Sequence, residues 1–383
     1  MVQEPKSFFE KHPSVTLTMV VVFLFVLIDF LSGMLFIPKN YNSFRTKHYY
    51  YHHGLVPNYS GITAWGNIYY PIYTNSLGFR DRCVRDVPLQ SSKKRILFLG
   101  DSQTEAVGLT YENSFVGLIS KALDTNKVEV LNASAISYSP KIEYLKARYL
   151  MEYVGLKFDE LIVTIDISDL QNEIVYQQFN PNENIFWNEI SYNTMRFLKN
   201  HSFVTYSFTE LLDRKEKIRF FEKTKQFDSY RTEKKAVRNI QDLYSTFFSD
   251  FNDDALLSNP NFHGVANWYY DSTFIKLADK GIKSGEENIL KLKDLCTKNK
   301  VHLIVTVHPW QMQVYKRNPE DYYVRSWRNF ANENHIDFIN LFPVFINNIN
   351  PEKIINDYFI LNDNHWNEKG NKAIAREFLK YLK

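Results

Sequence analysis

The sequence predicts an α/β domain built on a mostly parallel sheet, placed behind a membrane-spanning helix. Short apolar runs bounded by polar turns recur at Ile96–Leu99, Val128–Leu131, Leu161–Ile165, Leu303–Val307 and Phe338–Leu341. Helical patterns at Ile142–Tyr153, Glu287–Cys296 and Lys372–Leu382 lie between or after them. Buried strands alternating with amphipathic helices form parallel sheets covered on both faces, here with five strands. Upstream of these, Val15 to Ile37 is almost wholly apolar.

That apolar stretch rises roughly 35 Å as a helix, enough to cross a bilayer core of about 30 Å with some tilt. Asp29 is its single charge. The apolar core of a cleaved signal peptide runs only about 7–15 residues and precedes a small-residue cleavage site. Here the run is longer and ends in Met34-Leu35-Phe36-Ile37-Pro38. Residues 15–37 are therefore read as an uncleaved signal anchor after a tail of residues 1–14. Lys6 and Lys11 precede the span, and Lys39, Arg45 and Lys47 follow it, so charge does not orient it. The chemistry described below favours a cytoplasmic tail and an exported body on a single-pass protein of the inner or plasma membrane.

At 383 residues the chain has ample material for a large core, and 16% aromatic content excludes a disordered chain. Net charge is only +3, and no basic block interleaved with aromatics suggests a nucleic-acid groove. Cys83 and Cys296 have no metal-ligand spacing. They could form one bridge in an exported domain; two unrelated free thiols is the reading adopted. No pattern points to a metal or organic cofactor.

Residues 38–93 are rich in Tyr, Asn and Gly and are read as a stalk that packs onto the domain through short strands. Within it, Asn75 and Gly78 mark a tight turn before Arg80-Asp81, read as a local ion pair rather than a substrate contact. Residues 94–383 form the main domain, interrupted between about 171 and 284 by a charged, aromatic stretch. That stretch is read as a helical insertion whose runs Arg214–Lys217 and Arg231–Arg238 are solvated helix faces.

Ligands of parallel sheets bind beyond the carboxyl ends of the strands. Ser102, Asn132, Asp166 and His308 each follow an apolar run within a few residues, so they should converge on one rim. The first run ends in Gly100-Asp101-Ser102, which delivers a serine to a turn before the helix expected to follow. Backbone N–H groups there stabilise developing negative charge, although a helix-capping serine occupies the same position without chemistry. Near the other end the chain reads Asp363-Asn364-His365-Trp366-Asn367-Glu368-Lys369-Gly370. An aspartate two residues from a histidine can hold the imidazole Nδ1 and fix its tautomer. Ser102, His365 and Asp363 thus supply nucleophile, base and orienter. Trp310, after the fourth run, and Trp366 either stack on a sugar or seal the core edge. His308 has no carboxylate near it in sequence.

At these residues the chain resembles the SGNH/GDSL hydrolase superfamily, in its membrane-anchored, cell-envelope branch. The resemblance runs from Arg95 to the C-terminus and implies a flavodoxin-like, three-layer α/β/α fold. Gly100-Asp101-Ser102 matches the first block. The second falls on Asn132–Ser139, with Ser137 where the family has Gly. The third falls on Asp166-Ile167-Ser168-Asp169, with Ser168 in place of the oxyanion-donating Asn. The last matches Asp363 and His365 in the Asp-x-His-Trp form of polysaccharide O-acetyltransferase relatives; the Asp-x-x-His form would need Asp where this chain has Asn362. The resemblance implies oxyanion donors at Ser102, Ser137 and Ser168, with Asp169, Trp310 and Trp366 near the substrate. It implies an O-acyl, preferentially O-acetyl, esterase or transferase acting on an acylated envelope or exported glycan. Partners would be that substrate, the membrane and a polysaccharide-assembly or acyl-donor membrane protein. The rival reading is a weak or inactive scaffold of the same fold that binds carbohydrate.

Overall fold

The computed structural model describes residues 7–37, 44–65, 68–212, 275–361 and 363–382. They fall into two compact units, one drawn from residues 1–43 and 184–222, the other from 44–183 and 223–383. The charge runs at 214–217 and 231–238 lie outside the described residues, as does Asn362.

In the first unit, α1 (Phe8–Lys11) and α2 (Pro13–Phe36) follow one another, with Pro13 at the first turn of α2. Among the described residues α2 is the one helix long and apolar enough to cross a membrane, with a mean hydropathy of 2.6. Further on, Ile185–His201 forms a helix that packs against the C-terminal half of α2. Gly33 makes the close approach, since a Cβ there would lie 2.0 Å from the His201 carbonyl oxygen. Phe30 meets Phe197, and the Asp29 carboxylate accepts the Val204 N–H at 2.8 Å.

The second unit is organised by one sheet of eight strands in the order β10-β9-β8-β6-β7-β5-β4-β3. Five are parallel: β6 (Lys94–Leu99), β7 (Val128–Asn132), β8 (Glu160–Ile165), β9 (His302–Val307) and β10 (Asp337–Asn340). These are the five apolar runs of the sequence, and alone they follow the order 2-1-3-4-5 of flavodoxin-like sheets. The expectation of a five-stranded sheet is corrected by the segment upstream. There β3 (Ser60–Trp65), β4 (Ile68–Thr74) and β5 (Arg80–Asp81) add antiparallel strands beyond β7. None has the continuous apolar texture of the parallel strands: β3 has no fully buried residue, β4 mixes buried with exposed positions, and β5 is two charged residues long. A separate hairpin joins β1 (Arg45–His48) to β2 (His52–Leu55).

Two groups of helices cover this sheet. α3 (Ser102–Glu105) and α4 (Phe115–Ala122) follow β6, and α4 packs with the C-terminal helix Glu368–Phe378. Phe98 of β6 meets Phe115 and Phe378 edge-on at 5.7 and 5.6 Å. α5 (Pro140–Arg148) and α6 (Asp169–Val175) pack with the helix Ile275–Asn299, where Gly281 lets it touch the Leu170 backbone. Cys83 is exposed, Cys296 is buried, and both are free thiols.

The Arg80-Asp81 pair is also corrected. Arg80 is buried and donates not to Asp81 but to the carbonyls of Glu105, Ala106 and Leu109, holding the loop after α3. Asp81 accepts from Arg85 at 2.8 Å and from Asn75 at 3.0 Å.

Candidate active site

Gly100 sets the first element of the site. A Cβ there would fall 1.9 Å from Thr164 Oγ1 and 2.4 Å from Thr104 Oγ1, so only glycine lets β6 turn against β8. Asp101 then caps α3, its carboxylate accepting the Gln103 N–H at 2.9 Å, and Ser102 opens the helix. The Ser102 hydroxyl lies 2.8 Å from His365 Nε2 and 3.3 Å from Asp101 Oδ2.

His365 reaches Ser102 from a loop fixed at both ends. Asn367 caps the following helix, accepting from the Lys369 and Gly370 N–H groups at 2.9 and 3.1 Å. Gln103, beside the serine, clamps the loop by donating to the Asn364 carbonyl at 2.7 Å and accepting the Trp366 N–H at 3.2 Å. His365 Nδ1 donates to Asp363 Oδ1, which also accepts the His365 N–H at 2.8 Å. Burial pushes the Asp363 carboxyl up, but the charge and hydrogen bonds of His365 and a bond from Trp65 outweigh it, leaving it at about 2. The three residues joined from the sequence as nucleophile, base and orienter thus form one hydrogen-bonded chain, with Nδ1–H on the aspartate and the Nε2 lone pair on the serine.

Trp65 was not anticipated. It ends β3, and its indole N–H donates to Asp363 Oδ2 at 2.7 Å while its ring meets the His365 imidazole edge-on at 4.9 Å. Gln311 donates to the Asp363 carbonyl at 2.6 Å from the far side. No local signal marks Trp65; it matters because β3 joins the sheet.

Ser137 has φ +57°, a left-handed conformation that favours glycine. Its loop is tied down by Glu105, whose buried carboxylate accepts the Ile136 N–H at 2.9 Å and a bidentate guanidinium from Arg45. Asn132 donates to the Thr104 carbonyl at 2.8 Å and so braces α3 rather than facing the serine.

Three expected roles are corrected. The Ser168 N–H and hydroxyl both donate to Asp166 Oδ1, at 2.7 and 2.6 Å, so neither is directed to an oxyanion. Asp169 is 2% exposed, too enclosed to meet a substrate, and accepts the Asp166 N–H at 3.2 Å. Trp366, also 2% exposed, lies in the core against Phe345 and His308 and offers no stacking face. Trp310 is half-buried and its indole N–H donates to Asp166 Oδ2 at 2.7 Å.

Beneath the rim lies a group of acids. Burial, reinforced by the charge of Asp166, pushes the Asp101 and Asp169 carboxyls well above the usual range. Burial does the same to Glu143, with the charges of Asp101, Glu173 and Asp166 adding to it. Burial lowers His308 to about 4, a shift that the Asp166 charge opposes and that of His365 assists.

No protein-family model matches the chain, and no curated protein does. Among solved structures it is similar to Axe2, an acetylxylan esterase from Geobacillus stearothermophilus, at 14% identity and TM-score 0.39, covering 76% of this chain and 94% of that one. The acetyl xylan esterase AlAXEase gives 13% and 0.38, covering 76% and 100%; LAE5, an alpha/beta hydrolase from the metagenome of Lake Arreo, Spain, gives 12% and 0.37, covering 76% and 95%. Likeness of this degree assigns neither fold nor activity, and both are read from the geometry above.

Proposed function

We propose that this chain is a serine-dependent O-acyl esterase or acyltransferase whose nucleophile is Ser102. The observation that carries the reading is the hydrogen-bonded series Ser102 Oγ, His365 Nε2 and Nδ1, Asp363 Oδ1, with 2.8 Å between serine and imidazole. His365 takes the Ser102 proton as Oγ attacks the ester carbonyl, and Asp363 stabilises the imidazolium that forms. Collapse of the tetrahedral oxyanion expels the alcohol, which takes the proton from His365 and leaves an acyl-serine. Water or a sugar hydroxyl, deprotonated by the same imidazole, then releases the acyl group; hydrolysis and transfer differ only in that acceptor. The N–H groups of Ser102 and Ser137 are the proposed oxyanion donors, and Trp310 the proposed stacking surface at the rim. An O-acetylated envelope or exported glycan follows from the SGNH/GDSL resemblance, with α2 as signal anchor and the sheet domain exported.

A non-catalytic scaffold of the same fold is the second reading, favoured by one observation: both Ser168 donors are taken by Asp166, where the family has a free Asn side chain. Losing one oxyanion donor costs roughly 100- to 1000-fold in rate.

A fluorophosphonate probe decides between them. Labelling of the full-length protein, absent in Ser102→Ala, supports the enzyme; a folded wild type that resists labelling favours the scaffold. Acetate release from acetylated sugars, with and without an added acceptor, then distinguishes esterase from transferase. A reporter fused after Lys383 that is active only in the cytoplasm would overturn the export.

A further inference from the structure

The floor beneath Ser102 gathers four buried carboxyl groups. Asp101, Glu143, Asp166 and Asp169 are all at most 3% exposed, and among the described residues no lysine or arginine pairs with any of them. Both carboxylate oxygens of Glu143 and Oδ1 of Asp169 have no hydrogen-bond partner. An isolated buried carboxylate is strongly unfavourable: such a group takes up a proton, or is kept ionised by a paired charge or a coordinated metal. Into this group points His308, 1% exposed, with both ring nitrogens unpartnered and Nε2 3.9 Å from Asp166 Oδ2. A buried imidazole with neither nitrogen satisfied has lost its hydration without a replacement.

We propose that Asp101, Asp166 and His308 bind a divalent transition-metal cation of the Zn2+ or Mn2+ class, independently of the activity assigned to Ser102. Their three donor atoms lie within 4.8 Å of one another. Donors held roughly 2.0–2.2 Å from a tetrahedral metal lie about 3.4 Å apart, so on binding the three side chains draw in by up to about 1 Å. Two carboxylate oxygens and one imidazole nitrogen suit borderline cations better than Ca2+ or Mg2+, which take all-oxygen shells. The surrounding bonds are of the kind that orient metal ligands: Trp310 donates to Asp166 Oδ2, Ser168 to Oδ1, and the Gln103 N–H to Asp101. Glu143 and Asp169 complete a carboxyl-rich surround. The residues come from the ends of β6, β8 and β9, far apart in sequence, so no ligand spacing announces them. Because Asp101 caps α3, the ion fixes the helix that carries Ser102 without contacting the reacting ester.

The test uses the full-length protein in detergent, purified without a polyhistidine tag or chelator, loaded with Zn2+ or Mn2+ and desalted. Elemental analysis should find about one equivalent in wild type and equally in Ser102→Ala, which removes the nucleophile but no ligand. Asp166→Asn and His308→Gln should each lower the content roughly tenfold or more. In parallel, either cation should raise the wild-type unfolding midpoint by several degrees over chelator-treated protein. A wild type with neither bound metal nor a shifted midpoint overturns the site, and so does equal content in the folded ligand variants, which signals surface binding only. Retention of metal in a Ser102→Ala protein, with no fluorophosphonate labelling of wild type, would sink the esterase and leave the cation site standing.

Discussion

Trp65 and Asp363 are joined by a 2.7 Å hydrogen bond between residues 298 positions apart, from an antiparallel strand near the N-terminus to the residue that orients His365. Asp363 would otherwise present one carboxylate oxygen to the imidazole and leave the other to solvent. The indole occupies it and restricts the carboxylate to one rotation. Trp65→Phe keeps the ring against His365 and removes only the donor, so kcat should fall about tenfold with KM unchanged. Asp363 should itself titrate somewhat higher, because it loses one of the bonds that hold it near 2. An unaltered Asp363 titration would mean that Trp65 acts only by packing.

Asp363→Asn preserves shape but removes the charge that stabilises imidazolium, and kcat should fall by roughly four orders of magnitude. Asn362→Ala should change it by less than about threefold. Steady-state kinetics on an aryl acetate compares them, and equal losses would displace Asp363 as orienter.

Ser137→Gly should stabilise the fold by about 1 kcal/mol, since glycine adopts positive φ at no steric cost. Activity should be retained, because the N–H stays in place. A loss of rate comparable to that of Ser102→Ala would instead assign the role to the hydroxyl.

Arg45 and Glu105 form a bidentate pair with side chains 10% and 0% exposed. Arg45→Ala removes the ion-pair partner of that buried carboxylate, so urea denaturation should register a loss of roughly 3–5 kcal/mol. As Glu105 also holds the Ile136 N–H, the loop bearing Ser137 should loosen, with faster amide exchange from Ala135 to Tyr138.

Lys146 is buried with its ammonium 3.8 Å from the Tyr51 ring centroid, and burial lowers it from 10.5 to about 7. Between those values the unfolded chain binds more protons than the folded one, so this group makes stability rise with pH across that window. Below about 7 both states are charged and the full penalty stands. Lys146→Met should therefore flatten the rise between pH 7 and 10.5 and stabilise the protein near pH 6 by up to a few kcal/mol. Denaturation at several pH values measures it; an unchanged slope would mean that another group titrates there.

The parallel sheet was legible because strands buried on both faces must be apolar throughout, and each of the five runs matches a strand to within two residues. The triad arrangement was legible because Asp363 and His365 are neighbours and Gly100 marks a turn. The antiparallel extension was not: β3 alternates weakly, as in Ser60-Gly61-Ile62-Thr63, and β5 has two residues. Trp65, Arg45 and Glu105 act across distances that periodicity does not encode. Trp366 misled because its neighbour His365 is at the rim while its own side chain turns inward, as alternation along an extended segment dictates.

Ser102 and His365 are separated by 263 residues, nearly the span between the first parallel strand and the last helix. During synthesis the serine emerges early and waits, with its helix and strand, until the segment bearing His365 has left the ribosome. The loop at 363–366 is held by Gln103, Trp65 and the cap at Asn367, all of which need the sheet to exist first. The hydrogen-bonded series at Ser102 thus forms only after that segment has been made. A product stopped before residue 363 carries the serine without the imidazole that meets it.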